Sequence, residues 1–183
     1  MFTKEYWKSS AEKLHSTKYL AIMASMIAVK IVVSYWYIPV ADNLRILFTF
    51  LFVSVESCIL GPVAAVVSGM VTDILSFIIH PTGPFFFGYT LSSMAGSLIY
   101  ALFLYRQKIT LWRLAGAKIC VNYLVNLLMG SLWSAMMFSK GFYYYFTKSI
   151  IKNTVLLPLE IAAMYAVFKI ITPTLEKRKL IRY

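Results

Sequence analysis

Long apolar runs that almost touch end to end constrain this chain more than any other feature. A helix needs about 20 mostly apolar residues to cross the roughly 30 Å hydrocarbon core of a bilayer. Six stretches of the 183-residue sequence answer to that description, at about 19–38, 44–60, 62–79, 85–105, 115–138 and 149–171. The runs are continuous and do not alternate between apolar and polar, so helices are expected and a β-barrel is not. Proline disfavours helix in the residue before it, which makes Gly61-Pro62, His80-Pro81 and Thr172-Pro173 expected boundaries, with Pro173 stopping the sixth span. Little chain is left over for a soluble domain, a long linker or a full internal repeat. The expected fold is therefore all-α: one polytopic membrane domain over residues 1–183 with six transmembrane helices. Composition agrees, with 60% hydrophobic and 14% charged residues, where a soluble domain carries about 25% charged. It excludes a disordered chain, and two cysteines exclude a disulfide-stapled secreted domain. Cys58 and Cys120 read as small apolar residues, with no metal or redox spacing around them.

Eighteen bases against seven acids give a net charge of +11, which would suit a nucleic-acid module if the apolar content did not forbid one. Its placement along the chain matters more. Lys4, Lys8, Lys13 and Lys18 precede the first span. Arg106, Lys108 and Arg113 lie between spans four and five, and Lys177, Arg178, Lys179 and Arg182 follow span six. With six spans all eleven fall on one side, so the positive-inside rule puts both termini in the cytoplasm, in reach of anionic membrane lipids. The first apolar run is long and no small-residue cleavage site follows it, against a signal peptide. Phe2, Tyr6, Trp7, Ala11 and Leu14 fit a short interfacial helix as well as a solvated tail.

Ionisable and amide groups inside apolar spans are costly and call for a named role. They are Lys30, Glu56, Asp73, Lys118, Asn122, Asn126, Asn153 and Glu160, with Arg45 and Lys152 near the outer surface. Glu56 is expected to pair with Lys30 or Lys118. Asp73 and His80 are seven apart, on one helical face. Asn122 and Asn126 are one turn apart, and Trp133 lies seven beyond Asn126, giving a face with two amides and an indole. Glu160 follows Asn153 by seven. Such faces either meet in an outward polar cavity or join helices through hydrogen bonds. Aromatic clusters 35–37, 85–87 and 142–146 gather on the outer side. They read as an interfacial belt or as stacking rings for a flat ligand. Small residues repeat at Ala21, Ala24, Ser25 and Ala28, at Ala64/Ser68 and Ala65/Gly69, and at Ser92/Gly96 and Ser93/Ser97, which permit close helix packing or, on span one, docking of a partner. No Walker A, HExxH or GxSxG motif is present, so the chain is no ATPase, and a binding protein driven by partners is expected.

These residues resemble a known family. The run Gly61-Pro62, Gly69, Asp73 and then 81–88 (PTGPFFFG), the Asn126–Trp133 spacing, and the stretch from Ile151-Lys152-Asn153 to Leu157-Pro158-Leu159-Glu160 are similar to the substrate-binding S component of energy-coupling factor (ECF) vitamin transporters, most closely the folate-specific type. That type usually has proline where Phe87 stands. The Ala24–Ala28 pair is similar to the alanine motif of S components in general. The resemblance implies a non-enzymatic subunit of the cell membrane, without cofactor or metal, that binds one vitamin outside. It implies a transmembrane coupling subunit with two ABC ATPases as partners, docked at Ala21, Ala24 and Ala28, and a loop around Pro39 to Leu44 that helps close the pocket. Folate has a pterin, a benzoyl ring and two carboxylates. Asp73 or Asn126 are the candidates for the pterin's polar edge. Phe86, Tyr123 and Trp133 are candidates for stacking, and Arg45 and Lys152 for the carboxylates, with Asn153 beside them. The competing readings are an S component for pantothenate or a thiamin precursor, a small intramembrane enzyme using Asp73 and His80 as acid and base, and a purely structural subunit.

Overall fold

The computed structural model describes residues 4–41, 44–81, 84–138 and 141–181; for residues 37–47 only the backbone is described. Helix α1 (Lys4–Glu12) leads through a short 3₁₀ turn (Lys13–His15) into α2 (Thr17–Ser34). Strands β1 (Tyr37–Ala41) and β2 (Leu44–Leu47) pair antiparallel, Tyr37 opposite Leu47. Then come α3 (Thr49–Leu60), α4 (Pro62–Ile79) and α5 (Phe87–Leu104). Helix α6 (Leu111–Cys120), a π-helical segment (Val121–Met129) and α7 (Gly130–Met137) form one continuous rod, and α8 (Phe142–Lys177) completes the bundle.

Five of these rods are long and apolar enough to cross a bilayer, and α3 is a shorter apolar helix. The chain is thus a helical membrane protein with one small hairpin. Two boundaries expected from proline hold: α4 begins at Pro62, and it ends before His80, whose backbone leaves the helical region. Three expectations need correction. Residues 37–38 and 44–47 belong to the hairpin, so the first span ends at Ser34 and the second begins at Thr49. Pro173 does not stop the last helix; α8 runs through both Pro158 and Pro173. Both prolines are on the exposed side of α8, and in a membrane helix the freed backbone group can be re-satisfied locally. The last helix also starts at Phe142, so the 142–146 aromatics form its first turns.

The buried core sits at one end of the bundle. Ile59, Leu60, Ala64, Tyr100, Leu104, Leu114, Met164 and Phe168 are almost fully enclosed there. Helix α1 closes that end. Its Tyr6 hydroxyl donates to the Ala101 carbonyl (3.1 Å). Ser10 Oγ donates to Leu60 O (3.0 Å) and accepts from Val63 N (3.0 Å) and Ala64 N (3.2 Å). Helix α4 has no side-chain cap of its own, so a serine from α1 does the work of an N-cap. The connection between α3 and α4 turns on Gly61 at φ 81° and ψ 180°, a region essentially reserved for glycine. A Cβ there would lie 2.8 Å from the Tyr105 ring and 2.9 Å from Ser10 Oγ. Gly61→Ala is expected to destabilise the protein by about 1–3 kcal/mol from backbone strain alone, read as a lower midpoint of thermal unfolding in detergent.

Helices α4 and α5 approach along the small residues marked in the sequence: Ser93 Oγ donates to the Gly69 carbonyl (3.0 Å). By contrast Ala21, Ala24 and Ala28 of α2 are all exposed, so that small-residue stripe is not packed away inside the chain.

Candidate functional site

The polar groups inside the helices fall into two networks. In the first, Lys30 on α2 meets Glu56 on α3 (Nζ–Oε2 2.5 Å) and Ser68 on α4 (3.0 Å), while Ser68 donates to Glu56 Oε1. Lys30 and Glu56 are 2% and 1% exposed. Of the two partners open to Glu56 in the sequence, Lys30 is the one used. These three residues line none of the cavities described below, and the network reads as structural.

In the second, Lys118 pairs with Glu160 on α8 (3.2 Å). Asn122 Nδ2 donates to Glu160 Oε2 (2.8 Å), and Asn126 Nδ2 donates to Asn122 Oδ1 (3.1 Å). Asn153 Nδ2 donates back to the Ser149 carbonyl (2.8 Å). Asn126, Lys152, Asn153, Glu160 and Lys118 line a cavity of about 400 Å³ with Tyr89, Ser92 and Tyr100.

A neighbouring cavity of about 510 Å³ contains Asp73 and Phe86, together with Tyr35, Phe77, His80, Phe85 and Tyr89. The Thr90 hydroxyl donates to Asp73 Oδ2 (2.6 Å). Asp73 and His80 do share a cavity, as their spacing predicts. Each is engaged elsewhere, Asp73 with Thr90 and His80 edge-on to Tyr35 (5.5 Å).

Tyr89 lines both cavities. Around it stand Phe86 (ring centroids 6.0 Å) and Trp133, which packs on Phe86 at 5.6 Å. Trp133 Nε1 donates to Ser92 Oγ (2.9 Å). A side chain at Gly88 would lie 2.7 Å from the Trp133 indole, so only glycine leaves room for this stack. The two cavities therefore share Tyr89, with Phe86 on the Asp73 side and Trp133 packed against Phe86 while lining neither cavity.

Not every expected site residue converges. Asn126 and Trp133 were expected on one face; Asn126 lines the cavity, whereas Trp133 lines neither cavity and reaches this one only through its bond to Ser92 on the rim. The segment that carries Asn122, Tyr123 and Asn126 is π-helical, and an extra residue in a turn shifts later residues relative to an α-helical count. Tyr123 also lies outside both cavities, with its hydroxyl shared with Thr154 (2.9 Å). The Arg45 side chain, and the tip 42–43 of the pocket-closing loop, lie outside the described residues. Sequence reasoning missed Tyr89, Thr90 and Ser92, which sit on the first two turns of α5, and Tyr100, whose buried hydroxyl has no hydrogen-bond partner among the described residues. Their signal was the period of polar residues along α5, Tyr89, Ser92/Ser93 and Gly96, which also reads as helix packing.

Comparison with known proteins places this architecture. Residues 18–174 match the model of the family described as ECF transporter, substrate-specific component. The folate transporter FolT of Clostridium novyi is 30% identical over 149 residues, covering 81% of this chain and 87% of that protein. The folate transporter FolT of Leuconostoc mesenteroides is 27% identical over 156 residues, covering 81% and 83%. A crystal structure of FolT bound with folic acid superposes with a TM-score of 0.76 at 29% identity, covering 82% of this chain and 92% of that one. A helical membrane bundle, two neighbouring polar cavities and a family match across most of its length converge on one assignment: the chain belongs to the substrate-specific components of ECF transporters.

Proposed function

We propose that this protein is the folate-binding S component of an ECF transporter in the cell membrane. On this reading it spans the bilayer six times, α3 with its hairpin counting as the second crossing. Both termini lie in the cytoplasm with the eleven clustered bases. It is not an enzyme: it binds folate from outside and passes it inward with a transmembrane coupling subunit and two ABC ATPases. The alanine face of α2 is the docking surface for the coupling subunit.

One observation carries the ligand class: the aromatic cavity that holds a carboxylate shares Tyr89 with a cavity that holds a lysine. Folate is long, flat at one end and anionic at the other. Asp73 accepts from the N–H groups of the pterin, while Phe86 supplies a ring face backed by Trp133. Lys152 attracts a glutamate carboxylate, with Asn126 and Asn153 as neutral neighbours and Arg45 as a second cation. Tyr123 has no part in this arrangement. The name of the FolT relatives and the folate in the related crystal structure support the same vitamin.

The test is a titration of the purified protein with folate, thiamin, pantothenate and riboflavin, read by tryptophan fluorescence. Folate is expected to quench, because Trp133 packs on Phe86, and to be recovered chemically unchanged. A response to another vitamin and none to folate overturns the vitamin. Conversion of folate would restore the acid–base reading of Asp73 and His80.

A further inference from the structure

A third cavity, of about 380 Å³, lies where three segments away from the folate site meet. Ser9, Glu12, Lys13 and Ser16 come from the N-terminal region, Tyr105 and Arg106 from the α5–α6 connection, and Lys179, Leu180 and Ile181 from the end of the chain, with Cys58 on the floor. Three cations face this space and one acid, Glu12, which itself lies near Lys8 (3.9 Å). Among the described residues neither Arg106 nor Lys179 is within ion-pair distance of a carboxylate.

The helix ends explain how two of these cations come to the rim. Among the described residues two non-glycine residues have positive φ, Arg106 at 54° and Lys179 at 53°. Each directly follows a helix C-cap, Tyr105 of α5 and Arg178 of α8, where a left-handed residue commonly ends a helix. Both are cations and both line this cavity. The third cation, Lys13, is half-buried. Its ammonium donates to the Ile59 carbonyl (2.5 Å) and lies over the Tyr105 ring (4.4 Å) and the Tyr19 ring (5.0 Å). Burial first, and then the Arg106 charge, pull its pKa down to about 8. The fold thus holds three like charges around one space, with a single acid at its edge.

We propose that this cavity binds a phosphate-bearing anion, held by Arg106 and Lys179 at the rim and Lys13 at the base, with the Ser9, Ser16 and Tyr105 hydroxyls as neutral donors. The phosphate of an acidic lipid headgroup and free phosphate share this chemistry. It is separate from the folate site, since none of its lining residues borders either of the other two cavities.

Two variants at the rim test it. Arg106→Asn and Lys179→Asn remove charge with a residue that tolerates positive φ, so the fold is kept. The purified protein is stripped of lipid by detergent exchange. Its thermal unfolding is followed with inorganic phosphate against chloride at equal ionic strength. Its lipid adducts are weighed by native mass spectrometry after mixing with phosphatidylglycerol or phosphatidylcholine. Phosphate is expected to raise the unfolding midpoint if the free ion is the ligand, and selective retention of phosphatidylglycerol is expected if the headgroup is. In either case binding should fall about tenfold for each cation removed, while the folate titration is unchanged. The double variant without ligand should unfold no earlier than the parent, because charge repulsion is relieved and asparagine tolerates the left-handed helix end. If neither anion binds selectively, or the double variant binds as well as the parent, the proposal fails.

Discussion

Glu56→Ala is expected to lower the stability of the protein by about 3–5 kcal/mol, the cost of leaving one member of a buried ion pair without its partner. The reason lies in where Lys30 sits. It is 2% exposed, and its two side-chain partners are Glu56 and Ser68. Removing the carboxylate leaves an ammonium with one hydroxyl in an apolar interior, at the point where α2, α3 and α4 are tied together. The double variant Lys30→Met/Glu56→Leu should recover most of the loss, since an apolar pair of similar volume replaces two desolvated charges. Thermal unfolding in detergent reads both. If Glu56→Ala melts with the parent, the ion pair does not hold these helices together. Because the network lines neither cavity of the folate site, folate affinity measured below the melting range should change little in the double variant.

Asp73→Ala is expected to weaken folate binding by about 1.5 kcal/mol or more, roughly tenfold, the size of a lost charge-assisted hydrogen bond. Thr90 donates to one oxygen of this carboxylate. Thr90→Val should therefore cost less than Asp73→Ala, because it frees the carboxylate to reorient without removing it. Arg45→Ala is expected to cost about as much as Asp73→Ala, at the anionic end of the vitamin. Fluorescence titration gives the dissociation constants. If both Asp73→Ala and Arg45→Ala bind folate as the parent does, the placement of the vitamin along the two cavities is wrong.

How much of this was legible in the residues depends on how local each cause is. Gly61-Pro62 and His80-Pro81 bound their helices because proline acts through its own covalent ring, whatever surrounds it. The same logic failed at Pro173, where α8 runs on for four more residues despite one missing backbone hydrogen bond. The 44–47 residues are as apolar as the helix after them, so periodicity gave no hint that they pair with Tyr37–Ala41 instead. Asp73 and His80 share a cavity although His80 lies one residue past the end of α4, so the spacing counted helix up to its last step. Trp133 reaches the Asn126 cavity only through Ser92, and nothing in the residue types from Val121 to Met129 announces the π-helix between them. The choice of Lys30 for Glu56 depends on how α2, α3 and α4 rotate against one another, which no single helix encodes.

The unequal rods have a consequence for the surrounding lipid. At 1.5 Å per residue, the 36 residues of α8 reach about 54 Å, while the 12 of α3 reach about 18 Å. A hydrocarbon layer of roughly 30 Å matches neither. The ends of the long rod carry aromatic and charged residues that suit the headgroups, but beside α3 the lipid must thin, or the whole body must lean so that the hairpin sinks toward the headgroups. An upright stance therefore carries an elastic cost that a lean relieves. Bilayer thickness itself becomes a force on the orientation of this subunit, separate from any ligand or partner.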